Sequence, residues 1–280
     1  MKILVISGTH GNETHAVDIV YELSRLNLNL ENTEIEFVHA WNKTGLKYNL
    51  REFVDESEDR ETNDLNRSFP ADDCWNKNAL IEDIKLKIQD ADVVIDVHNS
   101  PLCANSALIN NGPYARSYVD FCKAYNCQYT VRESTCDTIK NYAIEKGKVG
   151  FTIEIGDMGI SDKDNYDVDW LEKFIKAVAA DDSYPFHNQG EPFLQSELYT
   201  VLYTHFDGLI RGPYLKRLLR NEMIKDYQKG DVMFNIVDPE NNSLLETIKA
   251  PCDCTLVDFE DNVWATKGGT IGSIQPKIEG

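Results

Sequence analysis

The chain has 280 residues, enough for one large or two modest domains around a buried core. Its formal net charge of −19 argues against nucleic acid or an anionic membrane as partner, since both select basic surfaces. No apolar stretch approaches the roughly 20 residues of a membrane span, and residues 1–7 lack the length and cleavage region of a signal peptide. Seven cysteines, odd in number and without CxxC spacing, read as reduced thiols; none is singled out as a nucleophile, and a cytoplasmic location is expected.

In chain order, residues 2–7 read as a strand that breaks at Gly8. An amphipathic helix over 14–28 follows, carrying Val17, Val20, Leu23 and Leu26, then a strand over 33–40 and a long loop over 41–70. A helix with Leu80, Ile81, Ile84 and Ile88 precedes a strand at 92–97. Short strands at 106–109 and 128–131 flank a helix at 114–125, and an apolar strand around Glu154 leads to a helix at 166–180. This alternation predicts an α/β fold: a mostly parallel or mixed sheet with helices on both faces. Composition shifts at 181–185, and beyond it lie strand-like runs at 199–203, 232–237, 244–248 and 254–259, with one helix near 214–224. The expectation is a catalytic domain over 1–183 and a small β-rich C-terminal domain over 191–280. Lys229-Gly-Asp231, Ala250-Pro251 and Gly268-Gly269 mark its turns. A carrier role is rejected, because the Cys252-Asp-Cys254 hairpin tip offers no lysine.

Chemistry gathers in the first part. His10-Gly-Asn-Glu13 stands where the first strand hands over to a helix, and His98 ends the strand at 92–97. Each alone is unremarkable on a protein surface. Together they place two imidazoles and a carboxylate on the rim where open α/β sheets carry ligands. Such a set holds one zinc ion per chain and leaves a fourth position open for water. Glu154 lies inside an apolar strand, where a carboxylate is costly unless paired or working.

With GTHGNE at 8–13, Asn42, Arg51, DLNR at 64–67, IDVHNS at 95–100 and the Glu154 strand, the chain resembles the aspartoacylase and succinylglutamate desuccinylase family, relatives of the zinc carboxypeptidases. The resemblance implies zinc on His10, Glu13 and His98, and Glu154 as general acid/base. Arg51 would polarise the scissile carbonyl, with Arg60 as competitor. Asn66 and Arg67 would grip a substrate carboxylate; for Arg67 the alternative is a structural pair with Asp64. In the family the second domain lends the site an aromatic hydroxyl. Trp264 is the nearest position by pattern, Tyr214 and Tyr227 are unplaced donors, and His15 adjoins the metal loop.

These residue types suit amide hydrolysis. Zinc makes a nucleophile of water near pH 7, a carboxylate carries its proton to the leaving amine, and a guanidinium grips both oxygens of a carboxylate. The implied reaction is hydrolysis of an N-acyl amino acid to a carboxylic acid and a free amino acid. The partner would be a small anionic molecule drawn into a local cationic pocket, with self-association into a homo-oligomer left open. The alternatives are a zinc carboxypeptidase acting on peptide C-termini and a catalytically silent small-molecule-binding protein of the same fold.

Overall fold

The computed structural model describes residues 1–28, 30–56, 62–69, 75–100, 105–133, 137–156, 166–180, 186–211, 225–259 and 264–278. Arg60, Tyr214, Cys74, Cys103, Cys136, the composition shift at 181–185 and the helix expected at 214–224 lie outside them.

The first part runs β1 (Lys2–Ser7), α1 (Thr14–Arg25), β2 (Glu34–Val38), α2 (Lys43–Tyr48), β3 (Phe53–Val54), β4 (Thr62–Asn63), a single 3-10 turn (Leu65–Arg67) and α3 (Trp75–Asp90). It continues with β5 (Val93–Ser100), β6 (Ser106–Asn110), α4 (Ala115–Ala124), β7 (Tyr129–Arg132), α5 (Ile139–Glu145), β8 (Val149–Gly156) and α6 (Tyr166–Ala180). Six strands form one sheet in the order β2-β1-β5-β8-β6-β7. All neighbours are parallel except β6 and β8. The expected mixed α/β sheet is therefore present.

Alternation along the strands sorts the core into two layers. Ile3 and Val5 of β1, with Val93, Ile95 and Val97 of β5, pack against α1, α4 and α6. Leu4, Ile6 and Val94 point the other way, against Ile81, Ile84 and Ile88 of α3 and Ile139 and Ala143 of α5. Helix α1 buries Ala16, Ile19, Val20 and Leu23 at helical spacing and stops at Arg25, leaving the expected Leu26 exposed.

The segment read as a long loop at 41–70 contains α2 and the β3/β4 ribbon. Asn42 starts α2 by accepting the Gly45 amide at 2.9 Å, and Asn49 ends it in the left-handed region at φ 53°. Caps of this kind form helices too short for periodicity to reveal, and α5, capped by Thr138, escapes for the same reason.

The C-terminal part comprises β9 (Thr200–Tyr203), β10 (Gly208–Arg211), β11 (Lys225–Tyr227), β12 (Val232–Val237), β13 (Leu244–Lys249), β14 (Cys254–Phe259), β15 (Trp264–Ala265) and β16 (Thr270–Pro276). They form two four-stranded antiparallel sheets, β13-β12-β10-β15 and β11-β14-β16-β9. Met233, Ile236, Leu256, Ile271 and Ile274 lie in their shared core. No described helix is long and apolar enough to cross a membrane.

Candidate metal centre

Backbone geometry builds the first half of the centre. β1 ends at Ser7, Gly8 turns at φ 70°, and the chain drops into α1 with Glu13 as its N-cap. Gly11 lies flat on α2: a Cβ there would stand 2.0 Å from the Gly45 carbonyl carbon. The loop is further tied by the Gly11 amide donating to Arg51 O at 3.2 Å, and by Asn42 Nδ2 donating to Thr9 O at 3.3 Å. The second half comes from β5, whose carboxyl end carries Asp96 and His98 on one face. His98 and Glu154 are register partners across β5 and β8.

These elements bring His10, Glu13 and His98 together in a buried group. His10 Nδ1 lies 2.7 Å from Glu13 Oε1, His98 Nδ1 lies 2.9 Å from Glu13 Oε2, and the two Nδ1 atoms are 3.0 Å apart. Each outer nitrogen faces a carboxylate: His98 Nε2 lies 2.7 Å from Asp96 Oδ2, and His10 Nε2 3.1 Å from Asp64 Oδ1. With Glu13 engaged by a cation, the outer carboxylates would hold the ring protons on Nε2 and leave the Nδ1 lone pairs facing inward. Three lone-pair donors then converge on one point. A tetrahedral zinc with bonds of about 2.0–2.1 Å spaces its donors about 3.3 Å apart, a few tenths beyond the distances seen. The donor set fits the ion.

Charge follows the same pattern. Burial would raise the Glu13 carboxyl, but the adjacent imidazoles of His98 and His10 hold it well below the usual range. Burial likewise opposes ionisation of Asp64, and His10 with Arg51 overrides it. Burial lowers His98, yet the Asp96 and Glu13 carboxylates carry its pKa well above the ordinary histidine value. Glu154 differs. It carries no hydrogen bond or ion pair among the described residues, and burial raises its pKa against the opposing pull of His98 and Arg132.

Arg51 Nη1 donates to Glu13 Oε1 at 3.4 Å and Nη2 to Asp64 Oδ2 at 3.2 Å, so the guanidinium sits at the rim of the cluster, part exposed. Arg67 is exposed; it donates to Asn66 O at 2.7 Å and does not pair with Asp64, which is taken by His10 and Arg51. Asn66 is turned inward. Its Nδ2 donates to Asp96 Oδ2 at 3.4 Å and lies 3.3 Å from His98 Nε2, while its Oδ1 accepts the Ile139 amide at 3.0 Å. Trp264 is half exposed on β15, and Tyr227 is buried in the C-terminal core.

Other residues support the centre, among them His15, which the sequence placed beside the metal loop. Asp96 is fully buried and is held by Thr9 Oγ1 at 2.9 Å. Its place two residues before His98 puts both on one strand face, a period-two cue. His15 lies 2.8 Å from Asp167 Oδ2; Asn105 donates to the other Asp167 oxygen at 2.8 Å and accepts the Gly156 amide at 3.0 Å. This chain ties the start of α1 to the end of β8, and so Glu13 to Glu154. Ser106, the register partner of Glu154 in β6, has a buried hydroxyl without a partner among the described residues, as does Thr130 in β7.

A donor cluster on the carboxyl rim of such a sheet, beside an uncommitted carboxylate, places the protein among α/β proteins that work from strand ends. The chain belongs to the succinylglutamate desuccinylase/aspartoacylase family: the model of that family's catalytic domain matches residues 1–180. No curated protein matches it. Similar solved structures include an aspartoacylase family protein from Mesorhizobium loti, with TM-score 0.68 and 16% identity over 99% of this chain and 86% of that one. The ectoine utilization protein EutE (DoeB) from Ruegeria pomeroyi has TM-score 0.64 and 16% identity over 99% and 85%. A succinylglutamate desuccinylase/aspartoacylase from Rhodobacter sphaeroides has TM-score 0.68 and 14% identity over 100% and 86%. At such identities these likenesses speak for the fold.

Proposed function

We propose that the protein is a zinc-dependent hydrolase that cleaves the amide of an N-acyl amino acid. The observation that carries this reading is the free, part-buried Glu154 beside a three-donor cluster whose outer atoms are anchored by Asp64 and Asp96. Zinc held by His10 Nδ1, His98 Nδ1 and Glu13 would lower the pKa of a water to about 7 and polarise the scissile carbonyl. Glu154 takes the water's proton on its carboxylate and returns it to the nitrogen of the leaving amine as the C–N bond breaks. Burial raises its pKa, which makes the carboxylate a readier proton acceptor than an exposed one.

Arg51, at the rim, stabilises charge on the carbonyl oxygen, a contribution worth roughly 3–4 kcal/mol for a single donor. Arg67 presents an exposed guanidinium to the substrate carboxylate. Asn66, engaged beneath His98, orients the carbonyl that Arg67 rests on. Asp64 and Asp96 keep both imidazoles in the tautomer a cation requires.

The test is zinc content together with activity on a panel of N-acyl amino acids and C-terminally free peptides. One zinc per chain with turnover of the acyl amino acids supports the reading. Peptide cleavage alone would make it a carboxypeptidase, and zinc binding without turnover of either would make it a binding protein.

A further inference from the structure

At the opposite end of β8 from Glu154 the sheet opens. β6 and β8 pair from Ser106/Glu154 to Leu108/Thr152 and then part, and the Gly150 amide donates to the Tyr118 hydroxyl at 3.1 Å. Between β6, α4 and α5 lies a cavity of about 260 Å³. Gly150 forms part of its wall, four residues before Glu154 and so roughly 13 Å away along the strand. Neither Glu154 nor any residue of the metal cluster lines the cavity.

Its walls combine an apolar body with one buried cation. Ile109, Pro113, Ala115 and Ile144 supply the apolar part, with the rings of Tyr114 and Tyr118 beside them. Lys140, 3% exposed, lines the same space. Its ammonium donates to Leu108 O at 3.0 Å and Asn110 Oδ1 at 2.8 Å, both neutral acceptors, and an ammonium has three donors. No carboxylate among the described residues lies within ion-pair distance of it. Burial draws its pKa down to about 7, and the more distant Glu154 and Asp96 carboxylates offset this only in part. The other charged residue of the lining, Glu145, is exposed at the rim, so the interior is largely apolar with one buried cation, which is how proteins commonly bind small molecules.

We propose that this cavity is a second small-molecule site, which takes a small monocarboxylate with an apolar body and holds the carboxylate on the Lys140 ammonium. One point charge balances one carboxylate. The nearby amides are already committed, Asn110 Nδ2 to Asn141 Oδ1 and Asn111 to the Phe193 backbone, so a doubly charged anion would bury charge without compensation. The volume falls just below the range of about 300–1,000 Å³ that drug-sized ligands occupy, which favours a compact occupant. None of the residues proposed to hold the metal lines the cavity, although the Glu154 and Asp96 carboxylates act on the Lys140 charge through space.

The test uses the full-length, zinc-loaded protein with isoleucine methyl groups labelled for NMR, titrated with phenylacetate and with its neutral analogue phenylacetamide. Saturable shifts of the Ile109 and Ile144 methyls by phenylacetate are expected. Affinity should weaken at least about tenfold in Lys140→Met and for the amide, as loss of a charge-assisted bond predicts. Ile144→Trp, which fills the cavity and keeps the lysine, should abolish the Ile109 shift. Shifts confined to Ile155, equal affinity in Lys140→Met, or binding retained in Ile144→Trp would each overturn the proposal.

Discussion

Asp96→Asn probes the shell beneath the donor cluster with the least change of shape. Asp96 is fully buried and receives Thr9 Oγ1 at 2.9 Å, Asn66 Nδ2 at 3.4 Å and His98 Nε2 at 2.7 Å. A carboxamide has one oxygen for these three donors. If that oxygen faces His98, a charge-assisted bond becomes a neutral one, at a cost of about 1–1.5 kcal/mol. If the amide NH2 faces His98, the imidazole must move its proton to Nδ1, which closes the position meant for the ion. Loss of a carboxylate that orients a ligating imidazole weakens metal binding about 10–100-fold, or about 1.4–2.8 kcal/mol. Asp64→Asn should cost less. Asp64 is 22% exposed and 3.1 Å from His10 Nε2, so water replaces part of the lost contact. Zinc affinity is read by competition with a chromophoric chelator, with circular dichroism confirming that each variant is folded. An unchanged affinity in folded Asp96→Asn, or a larger loss in Asp64→Asn, would refute the claim that these carboxylates set the imidazole tautomers.

Glu154→Gln should keep zinc and lower kcat by at least about a hundredfold, since it removes only the proton carrier; stopped activity with metal lost would instead indicate a structural role. Arg67→Ala should raise KM for N-acyl amino acids with zinc content unchanged, and an unchanged KM would remove it from carboxylate binding. Lys140→Met should raise thermal stability, because the native state holds this amine neutral down to about pH 7 while the unfolded chain protonates it below about 10.5. The gain is therefore full below pH 7 and fades as pH climbs toward 10.5; thermal melts across that window showing a pH-independent gain would contradict the assignment. Gly11→Ala should cost about 1–3 kcal/mol through overpacking against α2, and with it zinc affinity, both read from melts with and without zinc.

The long periodic elements were legible because their signals are local. A strand such as Val93–Ser100 or a helix burying Ile81, Ile84 and Ile88 declares its face at fixed spacing. The three donors could be named individually, since each stands next to the end of an apolar strand. Short elements were not legible: α2, α5 and β11 are defined by a cap or by pairing with distant strands, β11 with β14. The roles of Asp64, Asp96 and Asn66 were also hidden. An Asp in a strand or turn reads the same whether it faces water or an imidazole nitrogen.

What the amino-acid order determined unaided is the α/β alternation and the identity of the side chains at each strand end, because both depend on neighbours within a few positions. Only the tertiary structure decided which of those ends meet. It set the register of β5 beside β8, which aligns His98 with Glu154, and packed the backbone of Gly11 on α2, which carries Arg51 to the rim. Convergence of atoms from positions 10, 13 and 98 is a property of sheet order, and sheet order arises from burying two apolar faces at once.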